Sequence, residues 1–65
     1  MKITVNGTAR EVRATALPDL LDELGYGGAK VATAVNEAFV PAAARAGVSL
    51  GEGDRLEVVA PRQGG

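Results

Sequence analysis

Hydrophobic and polar residues alternate from the start of the chain. Ile3 and Val5 lie between Lys2, Thr4 and Asn6, the two-residue period of a strand with one buried face. Asn6-Gly7 follows at once and suits a type I′ hairpin, whose two central residues both need positive φ. Residues 9–13 are expected to return as an antiparallel strand with Val12 facing the core. The period changes at Leu17. Leu17, Leu20, Leu21 and Leu24 recur at i, i+3, i+4 and i+7, with Asp19, Asp22 and Glu23 on the other face, as in an amphipathic helix. Thr15 stands where an N-cap is expected, Pro18 is tolerated in a first turn, and Gly25 closes the helix at C′. A helix of about two and a half turns is stable only when packed against a sheet.

Gly27-Gly28 reads as a loop, and 31–36 as a third strand, apolar on both faces. A tight turn and a short strand at Phe39-Val40 follow, ended by Pro41. Residues 42–46 form one helical turn closed by Gly47. Gly51-Glu52-Gly53-Asp54 is a turn signal, and 55–60 a last strand with Leu56 and Val58 inward and Arg55, Glu57 and Val59 outward. The only long apolar stripe is the helix, which therefore covers one face of a mixed sheet. The first hairpin is antiparallel, and the last strand lies most economically parallel beside the first. This order predicts an α+β fold of the β-grasp (ubiquitin-like) type, with a mixed sheet of four to five strands. The expected organisation is one domain over 1–60 and a flexible tail over 61–65.

Composition narrows the chemistry. The chain has 65 residues, 46% of them hydrophobic, and a chain of this size buries only about 60% of its unfolded surface around a single core. It contains no Cys and no His, which removes disulfides, thiolate ligation and the usual general base. No catalytic, cofactor-binding or metal site is expected, and the chain is expected not to be an enzyme. A net charge of −1 does not favour nucleic acid, whose binding needs a basic surface. No apolar run approaches the roughly 20 residues of a membrane span, and Met1 opens directly into a strand pattern. A cytoplasmic protein is the resulting expectation. Lys2 and Lys30 read as solvated side chains, and Gly27-Gly28 lacks the surroundings of a phosphate loop.

The chain ends Pro61-Arg62-Gln63-Gly64-Gly65. Pro61 cannot donate to a ladder and ends the strand. Five residues without an apolar side chain reach at most roughly 17 Å, enough to enter a partner's active site. Glycines at the end let the backbone pass through a narrow channel. The α-carboxyl, with an ordinary pKa of about 3.3–3.7, is ionised near neutral pH and unreactive as an acyl donor. Another enzyme must activate it, adenylation by ATP being the direct route. Sulfide or persulfide attack on the acyl-adenylate then leaves a thiocarboxylate, a nucleophilic sulfur carried without cysteine.

Met1-Lys2-Ile3-Thr4-Val5-Asn6-Gly7, Leu20-Leu21-Asp22-Glu23-Leu24, Ala34-Val35-Asn36, Val40-Pro41 and Gly53-Asp54-Arg55-Leu56-Glu57-Val58-Val59, with Gln63-Gly64-Gly65, together resemble the ThiS family of sulfur carriers of thiamine thiazole synthesis. The resemblance covers the whole chain. It implies covalent modification of Gly65, as glycyl adenylate and then thiocarboxylate, with Gly64 as its companion in the tail. It implies an E1-like adenylating enzyme that uses ATP, a sulfur donor such as a cysteine desulfurase, and thiazole synthase as acceptor. No cofactor held by this chain, no nucleic acid and no membrane is implied. Two positions depart from the family pattern: Glu37 follows Asn36 where glycine is usual, and Ala42 follows Pro41 where a basic residue is. Other readings share the Gly-Gly end or the fold: a sulfur carrier for molybdopterin or another metabolite, a ubiquitin-like protein modifier, or a β-grasp interaction module.

Overall fold

The computed structural model describes residues 1–60. Five strands, β1 (Lys2–Val5), β2 (Thr8–Glu11), β3 (Ala32–Val35), β4 (Ala38–Val40) and β5 (Arg55–Val59), form one sheet in the order β2-β1-β5-β3-β4. β1 pairs β2 antiparallel and β5 parallel, and β3 pairs both β4 and β5 antiparallel. The first and last strands are thus central neighbours, as the strand order predicted. Helix α1 (Leu17–Glu23) and a 3-10 helix (Ala42–Gly47) complete the elements.

The core lies between the sheet and α1. Ile3 and Val5 from β1, Leu56 and Val58 from β5 and Val40 from β4 meet Leu17, Leu20 and Leu21 from the helix. Val12 and Leu50 close the ends of this cluster. Ile3, Val5, Leu56 and Val58 are the residues that alternation assigned to the buried face, because a strand side chain has only two directions to choose from.

Several boundaries differ from expectation. β2 stops at Glu11, although Val12 still exchanges backbone bonds with Met1, its N–H donating to Met1 O at 2.8 Å and its carbonyl accepting from Met1 N at 2.7 Å. β3 is confined to four residues, and β5 ends at Val59, one residue early. The helical turn after Pro41 is of the 3-10 type and includes Gly47.

Thr15 does not cap the helix. Ala16 occupies the N-cap with no side-chain bond. The amide of Leu17 instead donates to Val48 O at 2.9 Å, and Leu50 N donates to Thr15 O at 2.8 Å. The incoming chain is pinned to the segment before β5, so a neighbouring backbone does the work of a cap. The C-terminus follows the expected course. Leu24 is the half-buried C-cap, Gly25 takes φ 93°, its N–H donates to Asp22 O at 3.1 Å, and Tyr26 N donates to Leu21 O at 2.7 Å. These are the two bonds of a Schellman motif, which needs a left-handed C′ residue.

Candidate functional site

The two faces of the sheet have different partners. The inner face is covered by α1, whereas the outer face carries Ala32 and Ala34 from β3, Phe39 from β4 and Glu57 and Val59 from β5. Register brings these side chains together: Ala32 lies opposite Val59, and Ala34 is flanked by Glu57 on one side and Phe39 on the other. The small alanines floor a shallow concavity between Phe39 and Val59, with Glu57 on its rim. Phe39 is 69% exposed and Val59 63%, the two large hydrophobic side chains most open to solvent among the described residues.

Val59 was expected on this face. Phe39 is what the sequence reading missed, since Phe39-Val40 was read only as a short strand. A usable signal was present: neighbours on a strand face opposite ways, so only one of the two can be buried. Val40 is the one, at 7% exposure, because its register partner Thr33 also points inward.

Thr33 is the buried polar residue of the core, at 2% exposure. Its hydroxyl donates to Val40 O at 2.8 Å and accepts from Arg45 Nε at 3.1 Å, while Arg45 Nη2 donates to Val31 O. Arg45 thereby ties the 3-10 helix to the sheet. Its polar contacts read as structural, since buried polar groups need partners.

Two carboxylates are held by backbone amides. Glu23 accepts from Ala14 N at 2.9 Å and from Arg13 N at 3.0 and 3.1 Å. These bonds, Ala14's first, hold its pKa below the ordinary 4.5. Asp54 accepts from Gly51 N at 2.8 Å and from Asn36 Nδ2 at 3.2 Å, which lowers its pKa below 3.8. Both groups secure turns, as amide-bonded carboxylates commonly do. Among the described residues, no group of three metal-ligating side chains is gathered and no helix is long and apolar enough to cross a membrane.

The expected site residues Gly64 and Gly65 lie outside the described residues, as does the whole proposed tail, 61–65. The structure does place their point of departure. β5 is central in the sheet, and its last residue, Val59, belongs to the outer-face concavity. The chain runs from that residue through Ala60 into 61–65, so the apolar patch and the root of the carboxyl end adjoin.

A five-stranded mixed sheet in this order, with one helix across one face, defines a β-grasp domain. A family model described as "ThiS family" matches residues 3–65, and the chain belongs to the ThiS family. The solved structures agree. The crystal structure of a thiamine biosynthesis protein (ThiS) from Geobacter metallireducens superposes with a TM-score of 0.85 at 26% identity, over 100% of both chains. A solution structure of a thiamine biosynthesis protein from the same organism gives 0.81 at 25% identity, over 100% of this chain and 88% of that one. A curated relative named thiazole synthase, from Paramagnetospirillum magneticum, is 41% identical over 66 aligned positions, covering 100% of this chain and 20% of the relative. The chain thus spans about a fifth of the length of that relative.

Proposed function

We propose that this protein is the sulfur carrier of the thiazole branch of thiamine biosynthesis, and that the carboxylate of Gly65 is its working group. The observation that carries this reading is the family match, which runs through residue 65 and so includes the Gly64-Gly65 end beyond a β-grasp domain. One oxygen of the Gly65 carboxylate attacks the α-phosphate of ATP on an E1-like adenylating enzyme, and pyrophosphate leaves. Sulfide then attacks the carbonyl carbon and displaces AMP. A persulfide from a donor such as a cysteine desulfurase also displaces AMP, giving an acyl disulfide whose S–S bond a second thiol then cleaves, leaving the thiocarboxylate and a disulfide between the donor and that thiol. The resulting thiocarboxylate delivers sulfur to thiazole synthase. The likeness to a segment of a longer chain named thiazole synthase supports that acceptor, because domains joined in one chain commonly act together.

The protein itself supplies presentation and no catalysis in this scheme. With no Cys or His in the chain, acid–base and nucleophilic steps fall to the partners. The outer face around Phe39 and Val59 is the docking surface, an apolar patch beside the root of the tail. ATP is bound by the adenylating partner, and this chain holds no cofactor.

Intact-mass analysis of protein isolated with its partner enzymes tests the proposal. A fraction heavier by the difference between sulfur and oxygen is expected, alkylated by iodoacetamide although the chain has no cysteine. Deleting Gly65 withdraws the reacting carbon by roughly 3.5 Å, where reacting atoms must lie about 3–3.5 Å apart. The deletion is expected to abolish adenylation with no change in stability. A deleted chain that still gains the sulfur mass would refute the scheme.

A further inference from the structure

Asn6 makes three hydrogen bonds to one strand. Its backbone N–H donates to Leu56 O at 3.0 Å. Its side-chain Oδ1 accepts from Val58 N at 2.8 Å, and its Nδ2 donates to Val58 O at 3.1 Å. The Val58 N–H requires an acceptor and its carbonyl a donor, so these two bonds orient the amide uniquely.

The geometry explains why a side chain is needed. The parallel ladder of β1 and β5 pairs Thr4 with Arg55 and Val5 with Leu56. At Asn6 the backbone turns to φ 52° to enter the hairpin with β2, so its carbonyl can no longer continue the ladder. The carboxamide takes the place of the missing peptide and carries the pairing on to Val58, as short amide side chains can. On the other flank of β5, Val59 is held by its pairing with Ala32. Val58 therefore depends on Asn6 for its β1-side bonds, and Ala60 is the last described residue beyond it.

We infer that Asn6 is a positioning residue for the carboxyl end: its carboxamide clamps Val58 and sets the direction in which the chain leaves the sheet toward Gly65. The inference rests on the reading that Gly65 is the modified group. Once a partner's channel holds 61–65 extended, over at most roughly 17 Å, a swing of about 10° at the root corresponds to about 3 Å at the end. That is comparable to the distance over which reacting atoms must be aligned. Freedom at the root must also be removed when the end enters a partner, and fixing one residue's backbone is worth about a factor of ten in an equilibrium.

The competing role for Asn6 is purely local, since asparagine tolerates the left-handed turn. Glycine serves that role at least as well, and aspartate about equally. Asn6→Gly keeps the turn and removes the clamp. Asn6→Asp keeps an acceptor for Val58 N–H but sets an oxygen against Val58 O. The experiment follows pyrophosphate release by the cognate adenylating enzyme with ATP and magnesium, alongside amide hydrogen exchange in the free protein. For both variants we expect kcat to fall about tenfold with KM within twofold, because the Phe39–Val59 face is untouched. In Asn6→Gly, protection of the Val58 amide is lost while that of Val59 is kept. Gly25→Ala, which weakens the fold far from β5, leaves kcat unchanged at a temperature where it is folded. Full kcat in Asn6→Gly, or an equal loss in Gly25→Ala, overturns the inference. If the unmutated protein releases no pyrophosphate, the reading of Gly65 fails instead, and the inference with it.

Discussion

Glu37 stands at φ 71° in the two-residue turn between β3 and β4, after Asn36 at φ 49°. Both values belong to a type I′ turn, whose second position favours glycine. A side chain with a Cβ is strained there by roughly 1–2 kcal/mol. The compensation is slight: a 3.4 Å ion pair with Arg55 between two exposed side chains, a class worth at most about 1 kcal/mol. Glu37→Gly is therefore expected to stabilise the protein by about 0.5–1 kcal/mol, read as a higher urea midpoint. A lower midpoint would show that the Arg55 pair outweighs the strain.

The amide-bonded carboxylates determine the response to acid. Glu23 and Asp54 have folded pKa values below their ordinary 4.5 and 3.8. The unfolded chain then binds the more protons as pH falls, and their contribution, complete above those ordinary values, is lost as pH drops through the folded ones. Melting temperature should hold between pH 7 and about pH 5 and decline below about pH 4.5. Glu23→Gln should flatten part of that decline, whereas an unchanged acid slope would remove Glu23 from the account.

Among the elements, α1 places three leucines, Leu17, Leu20 and Leu21, in the core. It has seven residues, too few to persist alone, and its stability comes from Leu17, Leu20 and Leu21 against the sheet. Leu21 is 6% exposed. Leu21→Ala should cost roughly 2–5 kcal/mol, a severe loss for a domain of this size. Gly25→Ala tests the helix end separately. Open space surrounds the position where a Cβ would sit, but φ is 93°, so the cost is conformational, about 1 kcal/mol. Chemical denaturation should rank the two variants in that order, and the opposite order would mean that the helix is held by its cap and not by its packing.

For the whole molecule, the consequence is two faces with separate duties. The inner face holds the fold together, and the outer face, where Phe39 and Val59 are exposed, is the proposed docking surface. Phe39→Asp changes an exposed side chain and is expected to leave the melting temperature within about 4 °C, since surface substitutions rarely exceed 0.5 kcal/mol. The same variant should weaken adenylation through KM by at least about tenfold, as expected for an aromatic anchor at an interface. Unchanged KM would place the docking surface elsewhere on the domain.

Periodicity alone specified much of this protein. Ile3, Val5, Leu56 and Val58 were assigned to the buried face, the leucine stripe to a helix and Val59 to the open face, and the helix stop at Gly25 was visible. These are properties a residue carries by itself or shares with near neighbours, because burial follows from transfer free energy and alternation from local geometry. The tail expected after Ala60, from the change in composition there, lies outside the described residues. What the tertiary structure decided is the pairing of polar groups across the chain. Asn6 was read only for its φ, yet its amide bonds Val58, 52 residues away. Asn36 likewise accepts from Arg55 N across 19 residues, Glu23 secures the entry to α1, and Val48 replaces the cap expected of Thr15. Phe39 joins Val59 only because β3 lies between β4 and β5. A hydrogen bond depends on two positions brought within about 3 Å, and no pattern local to either position states where the other will be.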